Sequence, residues 1–275
     1  MLNRSFLALK ASIKSGNLTN KNCLVNLMND GLPSISLIHQ LSRTGGTVFS
    51  RVLGNNSNVL LLSEIHPSRR GNDIKRQCLE HYQIAIPKNL NSYADCLKFI
   101  ASTRTENIVI RDLSHRDFLT SRSAMRIASF EVLKEKFNVN RISLARHPAD
   151  QYLSMMNFKP VAKYMNFEIF CRGYLGYHQA IPRRGIIRYE DFVRSPKKII
   201  KETGRFLKIG ITSAGLNNFH KNKNITGDNA EEGSRGYSLR QVKELPKRDS
   251  FDDICKQLKR NNQMLEICER LHYEI

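Results

Sequence analysis

Tryptophan is absent from the 275 residues, and phenylalanine and tyrosine bring the aromatic content to only 8%. These aromatic residues follow no pattern among the basic ones, which argues against a non-enzymatic nucleic-acid-binding protein. Acidic residues are also scarce, since 25 Asp and Glu stand against 44 Lys and Arg, a formal net charge of +19. Such an excess favours a polyanionic partner, whether nucleic acid, anionic lipid, an acidic glycan or a multiply phosphorylated cofactor.

The six cysteines form no C-x-x-C pair and no tight spacing with histidine. This pattern argues against a zinc site and predicts reduced, structural thiols, so we expect no bound metal. The chain also lacks a continuous apolar segment of the length of a signal peptide core or a membrane span. We therefore expect a cytoplasmic protein, with a luminal catalytic fragment stripped of its anchor as the alternative.

No internal repeat and no low-complexity linker divides the chain, so we expect a single domain over residues 1–275. Within it the sequence predicts a lead-in (1–33), a core (34–210), a polar, glycine-rich lid loop (211–250) and a C-terminal helix (251–275).

Short apolar segments alternate with helical ones through the core. The predicted strands are Ser34–His39, Val59–Leu62, Asn107–Asp112, Arg141–Ala145 and Gly185–Tyr189, and the predicted helices include Thr47–Leu53, Ser123–Phe137, one opened by Pro148, and Pro196–Leu207. This alternation is typical of an α/β fold with a central parallel sheet flanked by helices. Because ligands bind at the carboxyl ends of such strands, the residues that follow each strand are the candidate site.

The segment after the first strand reads Ser42-Arg43-Thr44-Gly45-Gly46-Thr47-Val48 and leads into a helix. A glycine turn before a helix N-terminus predicts an anion site, because backbone N–H groups converge there and the helix dipole adds positive charge. A P-loop kinase or nucleotide hydrolase would need a lysine between Gly46 and Thr47, and none is present. Arg43, which precedes the glycines, is the cation of this loop.

A second anion-binding pattern follows the fourth strand. Arg146 ends that strand, Pro148 opens the next helix, and Ser154 lies about two turns along it. A guanidinium and a hydroxyl that converge on one point suit a phosphate dianion.

Both segments resemble those of the PAPS-dependent sulfotransferases (PAPS is 3′-phosphoadenosine-5′-phosphosulfate). The first is similar to the loop P-[KR]-[ST]-G-[TSG]-[TS], with Ser42 in place of proline, and the second to R-x-P-x-x-x-x-x-S, both most like glycan-modifying and bacterial-type members. The segment Tyr189-Glu190-Asp191-Phe192 resembles a third family motif. The resemblance spans about residues 34 to 236.

The resemblance implies a P-loop-like sulfotransferase fold, PAPS as cofactor, 3′,5′-ADP as product and no metal. It implies sulfuryl transfer to a hydroxyl or amine of an acceptor, a saccharide being one candidate, and no nucleic-acid partner. It places the 3′-phosphate at Arg146 and Ser154 and the adenine at Tyr189, for which packing on the core is an equal alternative. The implied 5′-phosphosulfate loop comprises Arg43, Thr44, Gly45, Gly46, Thr47 and Val48, and the implied closing R-x-G loop contains Arg235 and Gly236.

The reaction also needs a base for the acceptor and a positive charge for the leaving phosphate. Arg43 is the candidate for that charge. Glu64, which follows the second strand, is the first candidate base, and His115, which follows the third, is the second. His66 and Asp112 lie beside them and remain alternatives, and each of these residues could instead be a salt-bridged surface group.

Overall fold

The computed structural model describes residues 31–120, 124–227 and 240–275. Five parallel strands form one sheet in the order β2-β3-β1-β4-β5. The strands are β1 (Ser34–His39), β2 (Val59–Ile65), β3 (Asn107–Asp112), β4 (Asn138–Ala145) and β5 (Ile186–Arg188). The α/β fold with a parallel sheet is thus confirmed. Since β1 lies at the centre and the chain leaves it to either side, the crevice at its carboxyl end is where such sheets bind ligands.

Helices cover both faces of the sheet. Their bounds are α1 (Gly46–Leu53), α2 (Asn72–Tyr82), α3 (Tyr93–Thr103), α4 (His115–Phe118), α5 (Ala128–Leu133), α6 (Pro148–Met156), α7 (Lys159–Ala162), α8 (Phe167–Ala180), α9 (Tyr189–Arg194), α10 (Pro196–Leu207), α11 (Gly215–Asn218), α12 (Phe251–Leu258) and α13 (Asn262–Arg270), with short 3-10 helices at Pro67–Arg69 and Phe219–Lys221.

The strands have apolar residues pointing to both sides of the sheet because both faces of the sheet are buried. Leu37 of β1 packs on one face with α2 and α3, and the next residue, Ile38, packs on the other face with α1 and α10. A third apolar cluster joins α6, α8, α12 and α13 beside the sheet. These three clusters fix the strand ends relative to one another, and so position the site.

Three predicted elements have the observed bounds: β1, β3 and α10. The predicted helix Ser123–Phe137 is wrong, since only Ala128–Leu133 is helical and Ser123 lies outside the described residues. Met125 is one of the apolar positions on which that helix prediction rested, but its side chain is 91% exposed. The predicted fifth strand is likewise too long, because β5 spans only Ile186–Arg188.

The C-terminal segment differs from its prediction as a single helix. It forms two helices, α12 and α13, and Asn261 caps the second by accepting a hydrogen bond from the backbone N–H of Met264 at 3.1 Å. An asparagine cap favours a helix start rather than a helix interior, which explains the break. The predicted lid falls partly outside the described residues, and its described part contains α11 and packs Phe219 and Ile225 into the core. The division of the chain into lead-in, core and lid stays a prediction.

Five of the six cysteines are described, and all five are buried and free. Burial raises the pKa of the Cys78, Cys171 and Cys268 thiols to about 12, which keeps them protonated at neutral pH. Among the described residues, no helix is both long and apolar enough to cross a bilayer.

Candidate active site

The turn between β1 and α1 requires glycine at Gly45, and at Gly46 the backbone lies close to the Gln40 side chain. Gly45 has a left-handed φ of +86°, and a Cβ there would lie 2.3 Å from the Tyr189 ring. A Cβ on Gly46 would lie 1.5 Å from Oε1 of Gln40. The turn therefore brings the chain close to Tyr189 and starts α1, whose first N–H groups have no acceptor within the helix.

The two predicted anion-binding segments meet at Ser154. Nε of Arg43, in the first loop, donates a hydrogen bond to Oγ of Ser154 at 3.1 Å. Nη1 of Arg146 donates to the Arg43 carbonyl oxygen at 2.9 Å, and its guanidinium lies 4.5 Å from the centre of the Tyr189 ring. Asp150 is an ion-pair partner of Arg146. The structure thus joins segments that are more than a hundred residues apart in the sequence.

Arg248 is a member of this cluster that the sequence did not indicate. Its Nη2 donates to Oγ of Ser154 at 3.2 Å, and its Nε lies 3.5 Å from Oδ1 of Asp150. Two guanidinium groups (Arg43 and Arg248) therefore bond one serine, and a third (Arg146) joins them through the Arg43 carbonyl oxygen and the Asp150 carboxylate. Arg248 lies in a polar stretch, Lys247-Arg248-Asp249, that carries no motif. The predicted closing residues, Arg235 and Gly236, lie outside the described residues.

Arg111 forms the centre of the second half of the site. It is only 1% exposed; its Nη1 donates to Oγ1 of Thr47 at 3.0 Å, and its Nη2 donates to the Thr226 carbonyl oxygen at 2.6 Å. Nη2 also lies 3.6 Å from Oε1 of Glu64. Because β3 is the neighbour of both β1 and β2, a residue at its end connects the loop after β1 with Glu64.

Glu64 lies at an irregularity of β2. The register between β2 and β3 shifts at this residue, and its φ is +57°. Such a bulge re-aims a side chain, and here the Glu64 side chain, 32% exposed, lines the cleft. Oγ1 of Thr226 donates a hydrogen bond to its Oε2 at 3.0 Å. The carboxylate is therefore oriented by one hydroxyl and one guanidinium.

His115 opens α4 on the same side of the cleft. Its Nδ1 is buried and has no hydrogen-bond partner among the described residues. Burial lowers the pKa of this imidazole, and Arg116 and His66 lower it further, while Glu64 and Asp112 oppose them. The imidazole is thus neutral at pH 7 and able to accept a proton.

The two remaining candidate bases are engaged elsewhere. Oδ2 of Asp112 lies 2.5 Å from Nδ1 of His39 inside the core, and Ser114 donates to its other oxygen. His66 contacts Asp117 at 3.1 Å and Ser68 at 2.8 Å. Neither Asp112 nor His66 lines the cleft, whereas Glu64 and His115 do.

Anion-binding candidates of both segments and the candidate bases Glu64 and His115 line one cleft of about 600 Å³ at the carboxyl edge of the sheet. Thr44, a predicted residue of the loop, does not line the cleft. Its buried hydroxyl instead donates to the Leu41 carbonyl oxygen within the loop at 3.0 Å. In the described part of the chain, no group of His, Cys, Asp and Glu side chains is arranged to hold a metal ion. The predicted site residues that line the cleft are Arg43, Gly45, Gly46, Thr47, Val48, Glu64, His115, Arg146, Ser154 and Tyr189.

The five-stranded parallel sheet flanked by helices matches that of solved sulfotransferase structures, and the chain has the sulfotransferase fold. The sulfotransferase domain of the olefin synthase of Synechococcus PCC 7002 superposes with a TM-score of 0.62 at 16% identity, covering 90% of this chain and 98% of that domain. No family model and no curated protein matches the sequence.

Two further solved structures are more distant. A sulfotransferase from Alicyclobacillus acidocaldarius gives a TM-score of 0.45 at 8% identity, covering 87% of this chain and 96% of that one. Mouse sulfotransferase SULT7A1, complexed with PAP, gives 0.41 at 11% identity, covering 91% of this chain and 90% of that one.

Proposed function

We propose that this protein transfers a sulfuryl group from PAPS to a hydroxyl or amine of an acceptor and releases 3′,5′-ADP. The observation that carries the proposal is the meeting of the two phosphate-binding segments at Ser154, within a cleft that also holds Glu64 and His115. A nucleotide with phosphates at both its 3′ and 5′ positions needs two such anion sites on one surface.

The donors around Ser154 fit a 3′-phosphate. Arg248 brings a planar guanidinium to the serine hydroxyl, and Arg146 is linked to it through Asp150. Nε of Arg146 is buried with no hydrogen-bond partner among the described residues. A buried donor left without a partner is costly, so a bound phosphate oxygen would satisfy it. Asp150 pairs with both Arg146 and Arg248 and offsets part of their positive charge.

The loop at the start of α1 fits the 5′-phosphosulfate. Gly45 and Gly46 allow the backbone to approach an anion, and Thr47 adds a hydroxyl that Arg111 holds in place. A guanidinium carries five N–H donors, so Arg43 is able to bond Ser154 and a phosphate oxygen together. The Tyr189 ring, between Gly45 and Arg146, is a surface for the adenine or its ribose.

Bound PAPS supplies a sulfuryl group on a phosphate leaving group. We assign the acceptor's proton to Glu64 as the first base and His115 as the second, since both line the cleft beside the loop. As the acceptor oxygen bonds to sulfur, the bond from sulfur to the bridging phosphate oxygen breaks, and the acceptor proton passes to the base. Arg43 stabilises the negative charge left on the phosphate.

The test is a thermal-shift comparison of 3′,5′-ADP, ADP and ATP, followed by incubation of the protein with ³⁵S-labelled PAPS and a panel of hydroxyl and amine acceptors. We expect stabilisation by 3′,5′-ADP without magnesium, and labelled product from at least one acceptor. Stabilisation by ATP with magnesium in preference to 3′,5′-ADP would instead support a P-loop kinase and overturn the proposal.

A further inference from the structure

Two arginines lie on the rim of the cleft beside the candidate bases. Arg69 ends the 3-10 helix that follows β2, and Arg116 is the second residue of α4, which follows β3. The hydrogen bond between Nε2 of His66 and Oδ1 of Asp117, at 3.1 Å, fastens these two elements together. Both arginines line the same cleft as Glu64 and His115.

The cleft contains more positive charge than the cofactor contacts require. Its described lining has seven basic side chains (Arg43, Arg69, Arg111, Arg116, Arg146, Lys243 and Arg248) but a single acidic one, Glu64. Three of the seven gather at Ser154, and Arg111 bonds Thr47 and approaches Glu64. Arg69 and Arg116 take part in neither group, so the anions of PAPS do not account for them.

Neither rim arginine makes a close ion pair with a residue that the structure describes. The Arg69 side chain is 54% exposed and lies 3.5 Å from Asp73, a separation at which a surface pair contributes little. Arg116 is exposed, and its charge is close enough to His115 to lower the pKa of that imidazole. Both positive charges line one cleft, and an anionic ligand bound there would offset their mutual repulsion.

We propose that Arg69 and Arg116 bind an anionic group of the acceptor, so that the acceptor is an acidic compound with its hydroxyl or amine close to a carboxylate, phosphate or sulfate. This inference rests on the proposed function, because the acceptor must present its proton to Glu64 or His115. The two elements after β2 and β3 then act as a clamp that positions the acceptor opposite the phosphosulfate loop.

The test uses labelled PAPS and three pairs of acceptors that differ in charge: 4-hydroxybenzoate and 4-hydroxybenzamide, glucuronate and glucuronamide, and glucose 6-phosphate and glucose. We expect the acidic member to have the higher kcat/KM in at least one pair, and the pairs separate carboxylate from phosphate recognition. Equal or better transfer to every neutral member, or no transfer to any acidic member, would overturn the proposal.

Variants connect that preference to the two arginines. Arg69→Gln and Arg116→Gln should each lower kcat/KM for the preferred acidic acceptor by about tenfold, the loss of one charge-assisted contact, and leave its neutral partner within about twofold. Arg76→Gln is the matched control, since its side chain is 49% exposed and pairs with Asp73 and Glu80 but lies outside the cleft. An equal loss for acidic and neutral acceptors would contradict the anion clamp.

Calorimetry with 3′,5′-ADP separates this inference from the proposed function. Both rim variants should bind 3′,5′-ADP as the unmodified protein does, because the cofactor contacts lie at Ser154 and the loop. If the unmodified protein itself fails to bind 3′,5′-ADP, the proposed function is wrong. If binding is normal and the acceptor preference is absent, only the clamp is wrong.

Discussion

Glu64 and His115 face the cleft from the ends of neighbouring strands, yet their surroundings differ. The carboxylate of Glu64 is held by the Thr226 hydroxyl and lies near Arg111, so its orientation is fixed. His115 has a buried ring nitrogen that no described residue bonds, and burial lowers its pKa. Either side chain is able to accept a proton. Substituting each in turn shows which of them is the base.

We expect Glu64→Gln to lower turnover by about 10²–10⁴ and to change 3′,5′-ADP affinity little, because the amide keeps the shape but does not accept a proton. Steady-state kinetics with an accepted substrate and calorimetry provide the two measurements. Normal turnover in Glu64→Gln, together with loss of turnover in His115→Ala, would assign the base to His115. A loss of stability or cofactor affinity with normal turnover would make Glu64 a partner of Arg111 only.

Arg146→Ala should weaken 3′,5′-ADP binding by about tenfold to hundredfold, the loss of a contact of about 1.5–3 kcal/mol. The affinity for 5′-AMP, which has no 3′-phosphate, should change little. Because Arg146 also donates to the Arg43 carbonyl, the melting temperature of the variant serves as a control for damage to the loop. A similar loss for both nucleotides would mean that Arg146 is structural.

At the scale of elements, the turn between β1 and α1 depends on Gly45. Gly45→Ala forces a side chain into a left-handed backbone and against the Tyr189 ring. Strain of about 1–3 kcal/mol should move the loop and weaken 3′,5′-ADP binding by about fivefold to 150-fold.

Gly210→Ala is the control for the loop variant, since a Cβ at that position would meet only Asn58, at 3.9 Å. Its affinity for 3′,5′-ADP and its melting temperature should match those of the unmodified protein. Unchanged binding in Gly45→Ala would show that the turn does not form the phosphate site.

The elements also show what the sequence could and could not predict. β1 and β3 were predicted with their observed bounds because each is a short, largely buried segment with apolar residues at its centre, as is typical of strands buried on both faces. The orientation of Glu64 was not predictable, since it depends on a register shift between β2 and β3. Arg248 reaches Ser154 only through the packing of α12 against α6, a long-range contact with no local pattern.

At the scale of the whole molecule, acid should destabilise the fold through His178. This side chain is buried in α8 against the rings of Tyr174 and Tyr177, and neither ring nitrogen bonds any described residue. Burial, with a smaller effect of Arg270, lowers its pKa to about 3. Between pH 6.5 and 3 the unfolded chain binds the proton and the folded chain does not, so lowering the pH favours unfolding.

We therefore expect His178 alone to remove about 2 kcal/mol of stability between pH 7.5 and pH 5.0. His178→Phe keeps a ring in place and should lose correspondingly less over the same interval. Urea unfolding at pH 7.5 and pH 5.0 gives the loss of stability for each protein. The contributions of His115 and His147 are the same in both proteins, so they cancel when the two losses are compared. An equal loss in both proteins would mean that His178 is protonated, or hydrogen-bonded to water, in the folded state.

The order of the sheet places five strand ends on one edge, and the cleft there holds the loop after β1, Ser154 and the candidate bases. The central claim is that this edge binds a nucleotide with both a 3′-phosphate and a 5′-phosphate. Isothermal titration calorimetry with 3′,5′-ADP and 5′-AMP, in buffer containing a magnesium chelator, tests the claim most directly. We predict that 3′,5′-ADP binds at least about tenfold more tightly than 5′-AMP, since it adds the contacts of Arg146 and Ser154. Equal affinity for the two nucleotides would contradict the account.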